Sequence, residues 1–402
     1  MHQALSLLEK DDSVSRLEEL IQKLCPDGVE YKELGTVATI SRGGNFQKKD
    51  FVENGFPCIH YGQIYTRYNL FAYDVVSHIS TQNAEKQKKA VHGDIIMAVT
   101  SENIEDVCKC VAWLGNGELA VSGHTAIIHH KLEPKYLTYY LNSDLFFRQK
   151  LKFVQGTKVI EASPDKLKKV KLPVPPLEVQ REIVRILDQF TELTAELTAE
   201  LTARKKQYEY YRDELFRTAE DAKVCYMNEI SENCDNQRKP VTSGNRIAGE
   251  YPYYGASGIV DYVDDYIFDG DYLLISEDGA NLLARSTPIA FSISGKNWVN
   301  NHAHVLRFDT YETRRYVEIY LNSIDLSPYI TGGAQPKLNQ KNLNKIPIPL
   351  PASEEQLRIV SILDRFDALC NDLTSGLPAE IEARRKQYEY YRDKLLTFPE
   401  KH

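Results

Sequence analysis

The sequence predicts an α+β protein with a pseudo-twofold internal repeat, in which two globular domains are separated by a pair of long antiparallel helices forming a coiled coil. Three observations carry this expectation. Ala203–Leu215 returns as Ala383–Leu395 with eleven of 13 positions identical, at an offset of 180. An apolar stripe with steps of three and four residues accompanies each copy, as on one face of a helix. The remaining sequence alternates short apolar runs with Gly, Asn, Asp and Ser clusters, the pattern of strands joined by turns.

The elements follow in order. With 402 residues, 42% of them hydrophobic, the chain has room for two or three domains at roughly 150 residues each. The expected partition is an N-terminal helical segment over 1–24, a first globular domain over 25–175, a central helix over 176–217, a second globular domain over 218–351 and a C-terminal helix over 352–402. Within the globular parts, Asp94–Val99, Ala120–His129, Tyr272–Ser276 and Ala303–Phe308 read as strands, and Pro134–Asn142 and Arg314–Asn322 as helices.

The first long helix is expected from Leu177 to Phe216, after Pro173, Pro175 and Pro176 have blocked an earlier start. About 40 residues at ~1.5 Å each make a rod of roughly 60 Å. The second begins near Ser353, and Gly376 and Pro378 are expected to kink or interrupt it. Gln180–Phe190 answers Gln356–Phe366 at an offset of 176, so the second copy carries four extra residues before its tyrosine-rich block. Each stripe needs a partner, and the two matched stripes can cover each other. By analogy with a self-complementary dimer, that pairing is antiparallel. Thr191–Ala203 repeats a Thr-Ala-Glu-Leu unit whose Leu193, Leu197 and Leu201 are expected to pack. Each unit adds ~6 Å and rotates the helix by ~40°.

The globular parts repeat more loosely. Tyr136–Ser143 answers Tyr316–Ser323, and Val121-Ser-Gly-His124 answers Val299-Asn-Asn-His302. His124 and His302 thus occupy equivalent positions, where a strand histidine is more often a satisfied core residue than a functional one.

Composition bounds the function. No apolar run reaches the ~18 residues needed to span a bilayer. Met1–Lys10 lacks the basic and apolar regions of an export signal, and seven scattered cysteines read as cytosolic thiols. The expected location is therefore the cytoplasm. Cys108-x-Cys110 lies near His124, His129 and His130, but one such pair without a matched second is a weak metal signal, and no metal is expected. The net charge of −8 gives no overall basic footprint for nucleic acid. Positive charge is instead local. Arg148–Lys171 carries a net +6, and Lys337, Lys341 and Lys345 form an acid-free run at the corresponding place in the repeat.

Together, the Leu-Pro-x-Pro-Pro and Ile-Pro-x-Pro segments, the Gln-x-x-Ile-Val-x-Ile-Leu-Asp-x-Phe helix starts, the Ala-Glu-Leu-Thr tandem and the twin Lys-Gln-Tyr-Glu-Tyr-Tyr-Arg-Asp blocks resemble the specificity subunit of type I restriction–modification systems. The likeness runs from about Leu17 to Phe398, and Cys25–Leu34 resembles the family's lead into its first target recognition domain. The resemblance implies that each globular domain is a target recognition domain reading one half of a bipartite, asymmetric site in double-stranded DNA. It implies that the helices set the unread spacer and that the chain recruits two modification (methyltransferase) subunits, joined by restriction (translocase–nuclease) subunits. S-adenosylmethionine would belong to the modification subunits, and ATP and Mg²⁺ to the restriction subunits. The residues fit a non-catalytic chain without cofactors of its own. It contains no Asn-Pro-Pro-Tyr/Phe or Asp-Pro-Pro-Tyr motif for adenine methylation and no Gly-x-x-x-x-Gly-Lys-Ser/Thr phosphate loop.

Base reading favours Arg or Lys at guanine and Asn or Gln at adenine. Candidates in the first domain are Arg42, Gly44, Asn45, Lys48, Gln63, Tyr65 and Arg67, and in the second Arg238, Lys239, Tyr253, Tyr254, Ser257, Asn281, Arg285 and Gln335. Lys158, Lys166, Lys168, Lys169, Lys337 and Lys341 are candidates for phosphate, where Lys serves as a positioning charge. Gly156-Thr157-Lys158 and Gly332–Gln335 read as matched loops of close backbone approach. Tyr208, Tyr211, Arg212, Tyr388, Tyr391 and Arg392 either dock the modification subunits or seal the helix pair. The alternative is a non-enzymatic two-domain scaffold for protein or glycan targets, favoured by the acidic total charge and opposed by the matched basic segments.

Overall fold

A computed structural model describes residues 12–219 and 222–401. The chain divides into two compact units. One comprises the described residues through Leu197 together with the segment from Ile381 onward, and the other comprises Thr198–Glu380. The long helix Leu177–Thr218 is continuous across the division. Among the described residues no helix is long and apolar enough to cross a membrane.

The first unit holds two five-stranded sheets. One runs Ala38–Arg42, Thr125–His130, Ile95–Ala98, Cys110–Trp113, Phe71–Ala72; the other runs Phe51–Val52, His78–Ile79, Phe56–Ile59, Leu119–Val121, Lys89–Ala90. The stretch expected as one strand over Ala120–His129 is therefore two strands in different sheets, broken at Ser122–His124. Ile95–Ala98 is fully buried on both faces, which explains its unbroken apolar run.

The second unit repeats this plan with four strands in each sheet. Glu232–Asn233, Ala303–Arg307, Tyr272–Ser276 and Ala290–Ile293 form one, and Gly258–Val263, Ala248–Gly255, Lys296–Val299 and Phe268–Asp269 the other. In each unit the second sheet contains one parallel pair, Phe56–Ile59 with Leu119–Val121 and Ala248–Gly255 with Lys296–Val299.

The same hydrogen bonds anchor both domains to their helices. Tyr136 donates its hydroxyl to the Pro173 carbonyl at 3.1 Å, and Tyr316 to that of Pro349 at 2.7 Å. Gln180 donates to Pro175 and Gln356 to Pro351, both at 2.7 Å. The buried amide oxygens then accept from Glu133 N–H at 2.9 Å and from the Thr313 hydroxyl at 2.8 Å. Lys135 pairs with Asp188 at 2.5 Å, and Arg315 with Asp364 at 2.7 Å.

Val179, Ile183, Ile186, Leu187 and Phe190 form the buried stripe at the start of the long helix. Leu193, Leu197 and Leu201 in the tandem are half-buried, while Thr194 and Thr202 turn their hydroxyls back to carbonyls one turn earlier. The expected interruption near Gly376 is present, with helices over Ser353–Asn371 and Leu377–Leu395. Asp372 accepts from Thr374 and Ser375 in the break. A Cβ on Gly376 would lie 2.5 Å from the Ala368 carbonyl, so the turn admits only glycine.

Replacing Gln356 with Ala leaves the Pro351 carbonyl and the Thr313 hydroxyl without their partner. It should destabilise the second unit by about 1–3 kcal/mol in denaturant unfolding. Burial pushes the His130 imidazole down to about 4, so between its ordinary value and about 4 the unfolded chain takes up a proton that the folded chain refuses. The stabilisation is complete above the ordinary histidine range and is lost as pH falls toward 4, amounting to about 3 kcal/mol at most. Unfolding curves across that window should be flatter for His130→Gln.

Candidate nucleic-acid interface

In the first unit the strand Ala38–Arg42 runs into the loop Gly43–Asn45. Gly43 and Gly44 donate their N–H groups to the carbonyls of Thr125 at 3.0 Å and Val121 at 2.7 Å, and Asn45 N–H donates to Gln87 Oε1 at 2.6 Å. A Cβ on Gly43 would stand 2.1 Å from the Ser122 carbonyl, and one on Gly123 would stand 2.5 Å from that of Gly44. The two loops therefore touch backbone to backbone, which side chains would prevent.

Beside them stands a tight hairpin. Gln155 and Glu161 exchange backbone hydrogen bonds at 3.1 and 2.8 Å, with Gly156 at φ 126° and Lys158 exposed. Its end, Ile160–Glu161, pairs with Thr100–Ser101. Arg42 donates to the Gly123 carbonyl at 3.2 Å and forms an ion pair with Glu161.

The second unit rebuilds this hairpin. Thr331 and Lys337 exchange backbone hydrogen bonds at 2.8 and 2.7 Å, with Gly332 at φ 87° and Gln335 exposed. Lys337 also bridges to Asp278, the position that matches Thr100. The two glycine-led loops expected to correspond do so, position for position.

The other candidates divide by accessibility. Lys48, Arg67, Lys168, Lys169, Lys239, Ser257 and Lys341 are exposed. Lys168 pairs with Asp165 at 2.9 Å, and Lys337 with Glu277 at 3.0 Å. Lys166, half-buried, donates to the Phe153 carbonyl at 3.2 Å. Gln63 and Tyr65 serve the fold. Gln63 accepts from His60 N–H at 2.8 Å, and the Tyr65 hydroxyl donates to the Thr100 carbonyl at 2.8 Å. Tyr254 is half-buried and packs on Phe291. Asn281 closes its own loop by bonding both the N–H and the carbonyl of Thr287.

Three candidates are corrected. Tyr253 is 1% exposed, and its hydroxyl accepts from Val241 N–H. Arg285 is half-buried at φ 51°, its guanidinium donating to the Asn322 and Ile324 carbonyls. Arg238 lies inward, bonded to Glu277 and the Ala303 carbonyl, both at 2.7 Å. The polar end of each is bonded within the fold.

Arg238 also decides a metal question. Asp235, Glu277 and His304 carry ligand atoms within 4.8 Å of one another. The Arg238 guanidinium and the Lys337 ammonium already pair with these carboxylates. Burial pushes Asp235 and Glu277 up, but hydrogen bonds from His304 to the first and from Arg238 and Lys337 to the second outweigh it and hold both below the usual carboxylate range. The cluster is a closed ionic knot with its cations in place. Cys110 and Cys108 are core thiols, both pushed up by burial.

The twin tyrosine blocks are seated on rings at the helix starts. In the first unit Tyr391 stacks on Phe190 at 5.6 Å, and Tyr388 lies 6.3 Å from Tyr139. In the second, Tyr211 and Tyr208 lie 5.8 and 6.5 Å from Phe366. Arg392, only 6% exposed, donates to the Asn142 carbonyl and is not free for a partner. Arg212 is half-buried and bonded to Asp213. The remaining tyrosine of each block, Tyr210 or Tyr390, is exposed at 62% and 63%.

The contacts that sequence reasoning missed are Thr100 and Asp278, which face His124 at 3.0 Å and His302 at 2.9 Å. Their signal was a shared offset of 178 in the two histidines and the two partners. Both histidines are exposed, so the core reading expected for them does not hold.

Known proteins resemble this chain in sequence and in fold. The chain is 41% identical over 178 residues to a Haemophilus influenzae protein described as a type I restriction enzyme specificity subunit, an alignment covering 43% of this chain and 46% of that one. It is 36% identical over 261 residues to the EcoR124I/EcoR124II specificity subunit of Escherichia coli, covering 58% and 64%. The alignments thus span less than two thirds of either relative. Among solved structures, the type I restriction–modification S subunit from M. genitalium matches with a TM-score of 0.55 at 15% identity, over 92% of this chain and 96% of that one. A chain from a structure concerning complex assembly and conformational transition of the type I R-M system matches with a TM-score of 0.61 at 19% identity, over 93% and 98%. At these identities the likeness is one of fold. The family profile described as "Type I restriction modification DNA specificity domain" matches residues 26–204 and again 219–383, and the chain belongs to that family, carrying its domain twice.

Proposed function

We propose that this chain is the sequence-specific DNA-binding subunit of a type I restriction–modification complex, with each domain reading one half of a bipartite, asymmetric site. The observation that carries the reading is the pair of matched glycine-led hairpins, built twice on one scaffold beside loops of different sequence. A scaffold repeated faithfully with changed loops suits two readers of different targets. The protein- or glycan-binding alternative rests on the acidic total charge alone, which the local basic segments oppose.

In this reading the exposed side chains carry the contacts. Asn45, Lys48 and Arg67 in the first domain and Lys239, Ser257 and Gln335 in the second face bases, while Lys158, Lys169 and Lys341 neutralise phosphates. Gly44 lets the first loop approach the duplex closely. The helices act as an antiparallel ruler for the spacer. The matched exposed Tyr210 and Tyr390 give two copies of one surface, suited to two modification subunits. Those subunits would supply S-adenosylmethionine chemistry, and restriction subunits would use ATP and Mg²⁺, in the cytoplasm.

In the assembled complex, the logarithm of affinity for duplex DNA should fall linearly with the logarithm of salt concentration, and a flat response would remove the phosphate contacts. Mapping methyladenine genome-wide with and without this chain should reveal the loss of one two-part motif. Deleting residues 194–197 shortens the helix by ~6 Å and turns it by ~40°. The gap in that motif should then change while both half-sites stay the same. An altered half-site would contradict the ruler.

A further inference from the structure

We infer that His124 and His302 touch base edges of duplex DNA, one in each half of the recognised sequence, an inference that rests on the DNA-reading function proposed above. The two imidazoles stand at equivalent places in the two units. Each follows the parallel strand pair of its unit, in the turns Ser122–His124 and Asn300–His302. The backbone geometry recurs as well. The His124 carbonyl accepts from Val99 N–H at 3.0 Å, and the His302 carbonyl from Glu277 N–H at 2.9 Å.

Each ring makes its hydrogen bond through one nitrogen only, and that of His124 also packs against Tyr61 at 4.9 Å. Nδ1 of His124 bonds Thr100 Oγ1 at 3.0 Å, and Nδ1 of His302 bonds the Asp278 carboxylate at 2.9 Å. Nε2 has no hydrogen-bond partner among the described residues in either case, while both side chains are exposed, His302 by 51%. A ring oriented through Nδ1 and open at Nε2 is preorganised to meet something outside the fold. The residue that orients it is also the one stapled to the glycine-led hairpin, through Thr100–Ser101 in the first unit and Asp278 in the second. Each imidazole therefore belongs to the same surface as Lys158 or Gln335.

The orienting residue argues for bases over phosphates. A carboxylate beside a phosphate is repulsive, so Asp278 disfavours a backbone contact at His302. Held by Asp278, Nδ1 of His302 must carry a proton, so the neutral ring offers an acceptor at Nε2. That single acceptor is the complement of the one amino hydrogen that adenine or cytosine leaves open in the major groove. The Thr100 hydroxyl can donate or accept, which leaves His124 free to present either polarity. One scaffold position thus holds different chemistry in the two units, as two half-sites of different sequence require.

The test selects from a random duplex library with the full chain in its assembled complex, comparing the parent with His302→Ala, His302→Gln and His124→Ala. Replacing an exposed ring should leave the melting temperature unchanged. His302→Ala should lose discrimination at one position of one half-site, by roughly 5- to 150-fold on the scale of a single base contact. His302→Gln should retain part of it, and His124→Ala should relax the other half-site alone. Unchanged selectivity in both alanine variants would overturn the inference. So would a uniform loss of affinity with a shallower salt dependence, which marks a phosphate contact. A parent complex that selects no sequence at all would instead defeat the DNA-reading function beneath it.

Discussion

The contact on which the rest depends is a ring against a ring. Phe190 and Phe366 occupy the same place at the starts of the two long helical segments, and each is covered by the tyrosine block that belongs to the other copy of the repeat. Neither domain closes its core with its own repeat alone. The first takes Tyr388, Tyr391, Leu395 and Leu396 from the end of the chain, and the second takes Tyr208, Leu215 and Phe216 from the end of the central helix. This exchange explains why the tyrosine blocks are nearly identical while the domains have drifted apart. Each block must fit a socket made by the other copy, so a change in one copy's block is felt in the unit that holds the other copy's socket.

Around that contact, polar bonds recur with the same register. Asn142 donates to the Cys110 carbonyl and Asn322 to that of Ala290, just as the two tyrosines and the two glutamines bond matched prolines. These groups are buried or nearly so, and a buried polar atom without its partner costs more than the bond itself contributes. The repeat is thus preserved where desolvation leaves no freedom, and it varies at loops whose polar groups water can serve.

That division also sets what could be read from residue order. The helices, the break at Gly376 and the domain pattern were legible because a helical stripe and a proline act locally. The matched hairpins were legible through Gly156 and Gly332, which lead them 176 positions apart. Arg238 looked like a base reader because its partner Glu277 lies 39 positions away, and no local pattern reveals that pairing. Tyr253 and Arg285 failed for the same reason, since their partners come from distant segments. His124 and His302 went the other way. Adjacency to apolar strands suggested a core, whereas each sits in a turn between two sheets with its ring outward.

The pairing of Val29 with Glu400, supported by the Tyr31 hydroxyl bonding the Phe398 carbonyl, has a consequence for synthesis. The second unit occupies one uninterrupted stretch, Thr198–Glu380, and can mature as soon as that stretch has left the ribosome. The first emerges earlier, but part of its apolar core stays uncovered until the segment from Ile381 onward arrives. The unit whose synthesis begins first is therefore the one whose set of residues is completed last.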